Sequence, residues 1–213
     1  MVEMRHSLCS PIDDIFLSAL KLLEAADLHR AGDFAGSEQR IRESDSDAVR
    51  AYTEIAWGKG SAARHMFQTV KDAPANFAVA DRPRPRMPTA ATRSNVIARD
   101  GYHCRFCGVP VIDPAIRRRL VGLFPETVRW GSTNASQHAA FQCMWLQFDH
   151  LLPNSRGGDS SLGNIVIACA TCNFGRMEAT LEEASLHNPL LFDPPKVWEQ
   201  YDAWNGLEYF RAF

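Results

Sequence analysis

Two C-x-x-C pairs, Cys104/Cys107 and Cys169/Cys172, constrain this chain more than any other feature of it. A C-x-x-C turn aims two sulfurs at one point, and two such turns make the tetrahedral four-thiolate set that zinc prefers. Four thiolates leave no position open to water, so the expected role is structural. The competing reading is two redox or disulfide pairs; a redox motif needs a strand before it and a helix after it. Cys9 and Cys143 fall outside the pattern and read as small buried or half-buried residues.

The second pair closes a segment rich in chemistry. Gln147-Phe148-Asp149-His150 reads as a strand ending in a carboxylate and an imidazole. Pro153 to Asp159 is a turn-rich loop that contains Ser155-Arg156-Gly157-Gly158. Leu162 to Ile167 reads as a return strand, and Thr171 to Leu181 as a helix with Asn173 in its first turn. Two strands and a helix would gather Asp149, His150 and Asn173 over one point. Adjacent strand residues face opposite sides, so Asp149 and His150 can share that point only at a bend or strand end. Taken singly, an Asp-His pair is common and either asparagine could cap a turn; the signal lies in their order between the cysteine pairs.

Charge is distributed unevenly. The net charge is -2, which rules out a polycation. Residues 82–176, however, hold twelve arginines and five acidic groups, a net of +7, with acidic segments on either side. Arginine matches phosphate bidentately, so a nucleic-acid or phosphate partner is expected at the basic middle. Arginine spread over a solvated surface is the plainer alternative.

The N-terminal third reads as helices. Ser10 and Pro11 are expected to open the first as cap and first residue, with Ile12, Ile15, Phe16, Ala19, Leu20, Leu23 and Ala26 at helical spacing up to Gly32. Helices follow over about 34–42 and 47–57, the latter ended by Gly58 and Gly60, with a short fourth over 60–70. This region names no chemistry of its own, and His6, His29 and His65 have no spaced partners. Pro83, Pro85 and Pro88 alternate with Arg82, Arg84 and Arg86 as an extended linker, which reads equally as a spacer or as a strip along a nucleic-acid backbone. Helix returns over 89–99 and again from Asp113-Pro114, carrying Arg117, Arg118 and Arg119. Beyond Pro194-Pro195 a helix with Val197, Trp198, Tyr201 and Trp204, ended by Gly206, is expected to fold back on the core or on a partner chain.

Arg99-Asp100-Gly101-Tyr102-His103-Cys104-Arg105-Phe106-Cys107-Gly108, Asp149-His150, the Ser155–Gly158 loop, Asn164 and Cys169-x-x-Cys172-Asn173 together resemble the HNH endonuclease family of the ββα-metal (His-Me finger) fold. The resemblance covers residues 93–181. Asn173 stands at the last position in place of His, Arg176 stands where many members have Lys, and the segment at about 109–147 is an insertion relative to compact members. The implied fold class is α+β, a mostly helical chain around a small ββα-metal core stapled by a four-cysteine zinc site. The implied organisation is a helical region over 1–80, a linker over 81–92, the nuclease domain over 93–181 and an aromatic tail over 182–213.

The resemblance implies metal-dependent hydrolysis of DNA phosphodiesters, by nicking or double-strand cutting, with RNA left open as a substrate. His150 is then the general base and Asn164 orients it or braces its loop. Asp149 and Asn173 hold a catalytic divalent ion, Mg²⁺ or another, and Cys104, Cys107, Cys169 and Cys172 hold structural zinc. Arg156 and Arg176, with Arg99 and Arg105 near the first knuckle, are the expected nucleic-acid contacts. The alternative is a zinc-stapled nucleic-acid-binding or regulatory subunit of a larger assembly without independent cleavage. A homodimer or protein partner would use the N-terminal helices or the aromatic tail. No leader and no membrane-spanning run is expected, and paired thiols point to a reducing, cytoplasmic compartment.

Overall fold

A computed structural model of the chain describes residues 3–58 and 67–212. The class is α+β, as expected. Seven α-helices are described: α1 (Asp13–Arg30), α2 (Phe34–Glu43), α3 (Asp47–Trp57), α4 (Ala90–Asp100), α5 (Pro114–Leu123), α6 (Ala139–Cys143) and α7 (Ala170–Arg176). They surround one antiparallel pair of strands, β1 (Gln147–His150) and β2 (Ile165–Ala168).

Local chemistry accounts for most of the boundaries. The Asp33 side chain caps α2 by accepting from Gly36 N at 2.8 Å, Thr89 caps α4 through Thr92 N at 3.1 Å, and Asp113 caps α5 through Ala115 N at 2.6 Å with Pro114 in the first turn. The start of α1 differs from expectation. Its cap is Ile12, without a side-chain bond, so Ser10 and Pro11 precede the helix. Asp13 and Asp14 then occupy the first turn, where their charge favours the exposed N–H groups. The expected short fourth helix falls mostly on residues 59–66, outside the described residues; residues 67–70 are not helical.

The C-terminal stretch also differs. In place of a helix there are two 3-10 turns, Tyr201–Ala203 and Glu208–Ala212. Packing of the aromatics overrides helical spacing there. The Trp204 Nε1–H donates to the Val111 carbonyl at 3.1 Å, and Tyr201 stacks on His103 with ring centroids 3.7 Å apart. Trp204, Leu207 and Phe210 are buried, so the tail does fold back on the core. His103 is buried and held by the tail, taking the Trp198 indole N–H at 3.3 Å.

The N-terminal helices join the same hydrophobic core as the strands. Buried side chains form a continuous cluster from Leu8 and Ile15 through Ile41 and Val49 to the β2 residues Ile165, Val166 and Ile167. The helices α3 and α7 approach closely at Gly175, where an added Cβ would lie 3.0 Å from the Ala56 carbonyl. Asp45, at the α2–α3 corner, accepts from Ala139 N at 2.7 Å, Arg50 at 2.8 Å and Arg129 at 2.9 Å. One carboxylate thereby ties the helical region to the insertion.

Asp100 plays the equivalent part between α4, the first knuckle and β2. Its side chain has no exposed surface. It takes two bonds from Arg99 at 2.7 Å and one from Ile167 N at 3.0 Å, with Arg105 Nε 3.7 Å away. Asp100→Ala strands two guanidinium groups and a buried N–H, and is expected to lower stability by about 3–5 kcal/mol. Urea denaturation at matched zinc concentration checks this, and a midpoint equal to that of the unaltered protein would remove Asp100 from the framework.

Candidate metal centre and nuclease cleft

The first knuckle is a tight turn. Gly108 N donates to the Cys104 carbonyl and Cys104 N to the Val109 carbonyl, each at 2.8 Å, while Arg105 N bonds to Ile167 O of β2 at 2.8 Å. The second knuckle begins as β2 ends, with Cys169 as the residue that precedes α7. The four sulfurs of Cys104, Cys107, Cys169 and Cys172 are buried and all lie within 4.8 Å of one another. Sulfurs around a tetrahedral zinc at Zn–S ≈ 2.3 Å sit roughly 3.8 Å apart. The Cys107–Cys169 separation is 3.7 Å. All four cysteines are free thiols rather than disulfides.

Electrostatics fit the same use. Burial alone would raise the Cys169 thiol, yet hydrogen bonds from the other three sulfurs and the Thr171 hydroxyl hold it well below the ordinary cysteine value. The Cys107 and Cys172 thiols are pushed well up by sharing hydrogen bonds in the same cluster. Four buried sulfurs close enough to converge on one point form the soft, tetrahedral donor set that zinc prefers. The donor set therefore fits zinc.

The residues expected from the sequence to be catalytic gather beside this cluster. β1 and β2 pair with Asp149 opposite Val166 and His150 opposite Ile165. His150 is the last residue of β1, and both it and Asp149 line one cleft of about 420 Å³ with Asn173 of α7. The strand-end condition set by side-chain alternation is therefore met. Asn164 does not touch His150. Its amide accepts from Leu152 N at 2.8 Å and donates to Leu152 O and Asp159 O at 3.1 and 2.7 Å, bracing the loop after His150. That bracing requires glycine at 158, where a Cβ would fall 1.8 Å from the Leu152 carbonyl.

His150 Nε2 lies 3.0 Å from the Ser160 hydroxyl. That hydroxyl has one proton, and its oxygen is also 2.9 and 2.8 Å from the Pro85 and Arg86 carbonyls, which can only accept. Ser160 thus donates to the linker and accepts from His150 Nε2–H, which leaves Nδ1 with the lone pair. Burial lowers the His150 pKa; Arg86 and Arg176 add to the lowering and Asp149 opposes it. The imidazole is neutral near pH 7. Ser160 was not among the sequence-based candidates, because a serine in a polar loop carries no motif, and the 82–86 linker was read as a spacer or a nucleic-acid strip rather than as a neighbour of His150.

Asp149 is only 5% exposed. Its Oδ1 accepts from Arg176 Nη2 at 2.6 Å, while its Oδ2 is buried without a hydrogen-bond partner. One free carboxylate oxygen and the Asn173 amide on the same cleft suit a hard divalent cation, which takes oxygen ligands and keeps several waters.

The four arginines expected to contact nucleic acid are all engaged within the protein. Arg176 is 1% exposed and spends its donors on Asp149 and on the Leu151, His150 and Ala179 carbonyls. Arg105 is buried and donates to the Pro189 and Phe192 carbonyls. Arg99 is held by Asp100 and by the Leu162 and Ile165 carbonyls. Arg156 pairs with Glu183 at 3.1 Å and bonds to the Pro74 carbonyl. Charge density in the sequence located these residues correctly in the basic middle, but it could not separate braces from free cations.

Two outcomes follow from this geometry. Cys169→Ser removes one of the four clustered sulfurs and is expected to unfold or aggregate the protein; a melting curve matching the unaltered protein would count against a metal centre. Arg176→Ala leaves Asp149 buried and unpaired, and is expected to cost about 3–5 kcal/mol in a urea melt without any nucleic acid present. Full stability together with weakened nucleic-acid binding would return Arg176 to a surface role.

No curated protein and no solved structure matches the chain. Residues 136–175 match the family model described as HNH endonuclease. That segment holds β1, the Asn164-braced loop, β2 and nearly all of α7. With the four-cysteine cluster at its flank, this segment is similar to the HNH endonuclease family.

Proposed function

We propose that the chain is a metal-dependent endonuclease that hydrolyses DNA phosphodiester bonds. The observation that carries this reading is the meeting of His150, Asp149 and Asn173 on one cleft of a ββα unit within the HNH match. His150 acts as general base. Its Nε2–H is tied to Ser160, so Nδ1 is the atom that takes the proton from an attacking water, and its lowered pKa keeps it in the neutral form that can do so. Asp149 Oδ2 and the Asn173 amide would hold a divalent ion, Mg²⁺ or another, which would supply charge neutralisation at the scissile phosphate and the leaving oxygen. Arg176 fixes the Asp149 carboxylate by occupying Oδ1, so that Oδ2 is the oxygen offered. Asn164 acts as a positioning residue, through the loop that follows His150.

Zinc on Cys104, Cys107, Cys169 and Cys172 is assigned a structural part, because the site is buried and its four ligands close the coordination sphere. Residues 93–181 form the nuclease unit. Free thiols of this kind suit a reducing compartment such as the cytoplasm. Among the described residues, no helix is long and apolar enough to cross a membrane.

Relaxation of supercoiled plasmid by the zinc-loaded protein with Mg²⁺ or Mn²⁺ tests the reading. His150→Ala is expected to cut the rate by about 10²–10⁴-fold while keeping the fold, and withholding the divalent ion should stop the reaction. A fully active His150→Ala would remove the base assignment. An inactive, zinc-loaded and folded protein across metals and substrates would favour a nucleic-acid-binding or regulatory subunit.

A further inference from the structure

The basic middle of the chain contains twelve arginines, and the structure divides them in two. Six are consumed internally. Arg99, Arg105, Arg156 and Arg176 are braces, as described above. Arg129 pairs with Asp45 at 2.9 Å. Arg117 is buried with its guanidinium 3.5 Å from the centre of the Trp130 ring and 4.7 Å from that of Trp145. Arg82 is intermediate: it is half-buried on the cleft and donates from Nε to the Phe77 carbonyl at 3.2 Å. The other five, Arg84, Arg86, Arg93, Arg118 and Arg119, are exposed, and none forms an ion pair with a carboxylate among the described residues.

Three of those five share a feature that the other two lack. Arg86 lines the His150 cleft. Arg93 and Arg118 line a second groove of about 500 Å³ between α4 and α5. The two cavities share Met87, Gln147 and Phe148, so they run into one another across the start of β1. Arg84 and Arg119 line neither.

The linker that carries Arg86 is itself fixed in place. Phe77 N donates to the Ser155 carbonyl at 2.7 Å, Asn154 donates to the Pro83 carbonyl at 2.9 Å, and Ser160 reaches the Pro85 and Arg86 carbonyls. Arg86 is thus held at the cleft by the same loop that positions His150. Of the acidic groups on the second groove, Asp113 is committed to capping α5 and to Arg211 at 3.3 Å. Asp149 and Glu178 are the carboxylates of the cleft itself.

We propose that Arg86, Arg93 and Arg118 form a phosphate-binding track that carries a polynucleotide from the His150 cleft along the groove between α4 and α5. The proposal rests on the nuclease reading of that cleft, and it assigns substrate binding to the linker, α4 and the insertion rather than to the four arginines of the family-like motif. An arginine with no protein partner can meet a phosphate without first breaking an ion pair, and its planar fork matches phosphate oxygens. Contacts of this kind are to the backbone, so the track sets register and orientation and carries no base sequence. Phe148, half-buried where the two cavities join, supplies an apolar floor at the crossing.

The test is binding by the zinc-loaded full chain carrying His150→Ala, followed by fluorescence anisotropy over a salt series. The probes are a fluorescein-labelled 20-base-pair DNA duplex, the corresponding single strand and the RNA of the same sequence. Arg86→Ala, Arg93→Ala and Arg118→Ala should each weaken binding several-fold and reduce the slope of log affinity against log salt by about 0.9 on the duplex, or about 0.7 on a single strand. Lysine at the same positions should restore the slope. Arg84→Ala and Arg119→Ala remove the same charge off the track and should leave the slope unchanged. A triple Arg86/Arg93/Arg118 alanine variant that keeps the original slope, equal losses in the two controls, or no binding to any of the three probes would each overturn the track. His150-dependent plasmid cleavage with an unaltered triple-variant slope would sink the track and spare the nuclease. Loss of slope in a protein that never cleaves would do the reverse.

Discussion

The four-sulfur cluster is the constraint on which the rest of the structure depends. It closes a loop between the knuckle after α4 and the start of α7, and everything in that loop is positioned by the closure. Cys172 is followed directly by Asn173, so the residues that gather the sulfurs also bring Asn173 to the cleft. Cys169 follows β2, and Arg105 of the first knuckle bonds to Ile167 of that strand, so the cluster locks the sheet to the knuckle. A two-stranded sheet is marginal by itself in water. Here it is held at one end by the sulfurs and at Ile167 by Asp100, and the apolar residues of β2 are fully buried.

Burial decides the meaning of the arginines. A guanidinium taken out of water needs several hydrogen bonds or a close carboxylate to offset its desolvation. Arg176, Arg105 and Arg99 meet that condition with carbonyl oxygens and with Asp149 or Asp100, and the cost of leaving them is correspondingly high. Arg117 has neither: it lies over two tryptophan faces with Nε and Nη1 buried and unbonded, and burial with the neighbouring Arg118 pushes its pKa down to about 10. Identical residues in the sequence thus belong to two populations. One holds the Asp149 carboxylate and the strands in place; the other is exposed with its charge unspent, and three of its members line open grooves.

The linker between the N-terminal helices and the HNH-like segment has a similar double character. Its prolines make it extended, as composition implies, yet it is no free spacer. It crosses the loop after His150 and exchanges hydrogen bonds with Asn154, Ser155 and Ser160. Ser160 then passes that contact to the imidazole. The helical region is coupled to the site by a second route, through α3 packed on α7 at Gly175 and through Asp45 bonded to Ala139.

What the sequence determined by itself is whatever rests on local chemistry and short spacing. The cysteine pairs, the Asp149-His150 strand end, the Gly157-Gly158 loop and the side-chain caps of α2, α4 and α5 are all legible because their partners lie within a few residues or follow a fixed turn. Helices whose periodicity agreed with their caps were legible too, although α1 begins later than Ser10-Pro11 suggests. Tertiary structure decided the rest, because it turns on which distant surfaces meet. It buried Arg176 against Asp149 and replaced the expected C-terminal helix by turns that seat Trp204 and Phe210. It also laid the linker beside His150 and left Arg86, Arg93 and Arg118 without partners. The physical reason is that desolvation and ion pairing depend on neighbours far away in the chain, and spacing along a sequence carries no record of them.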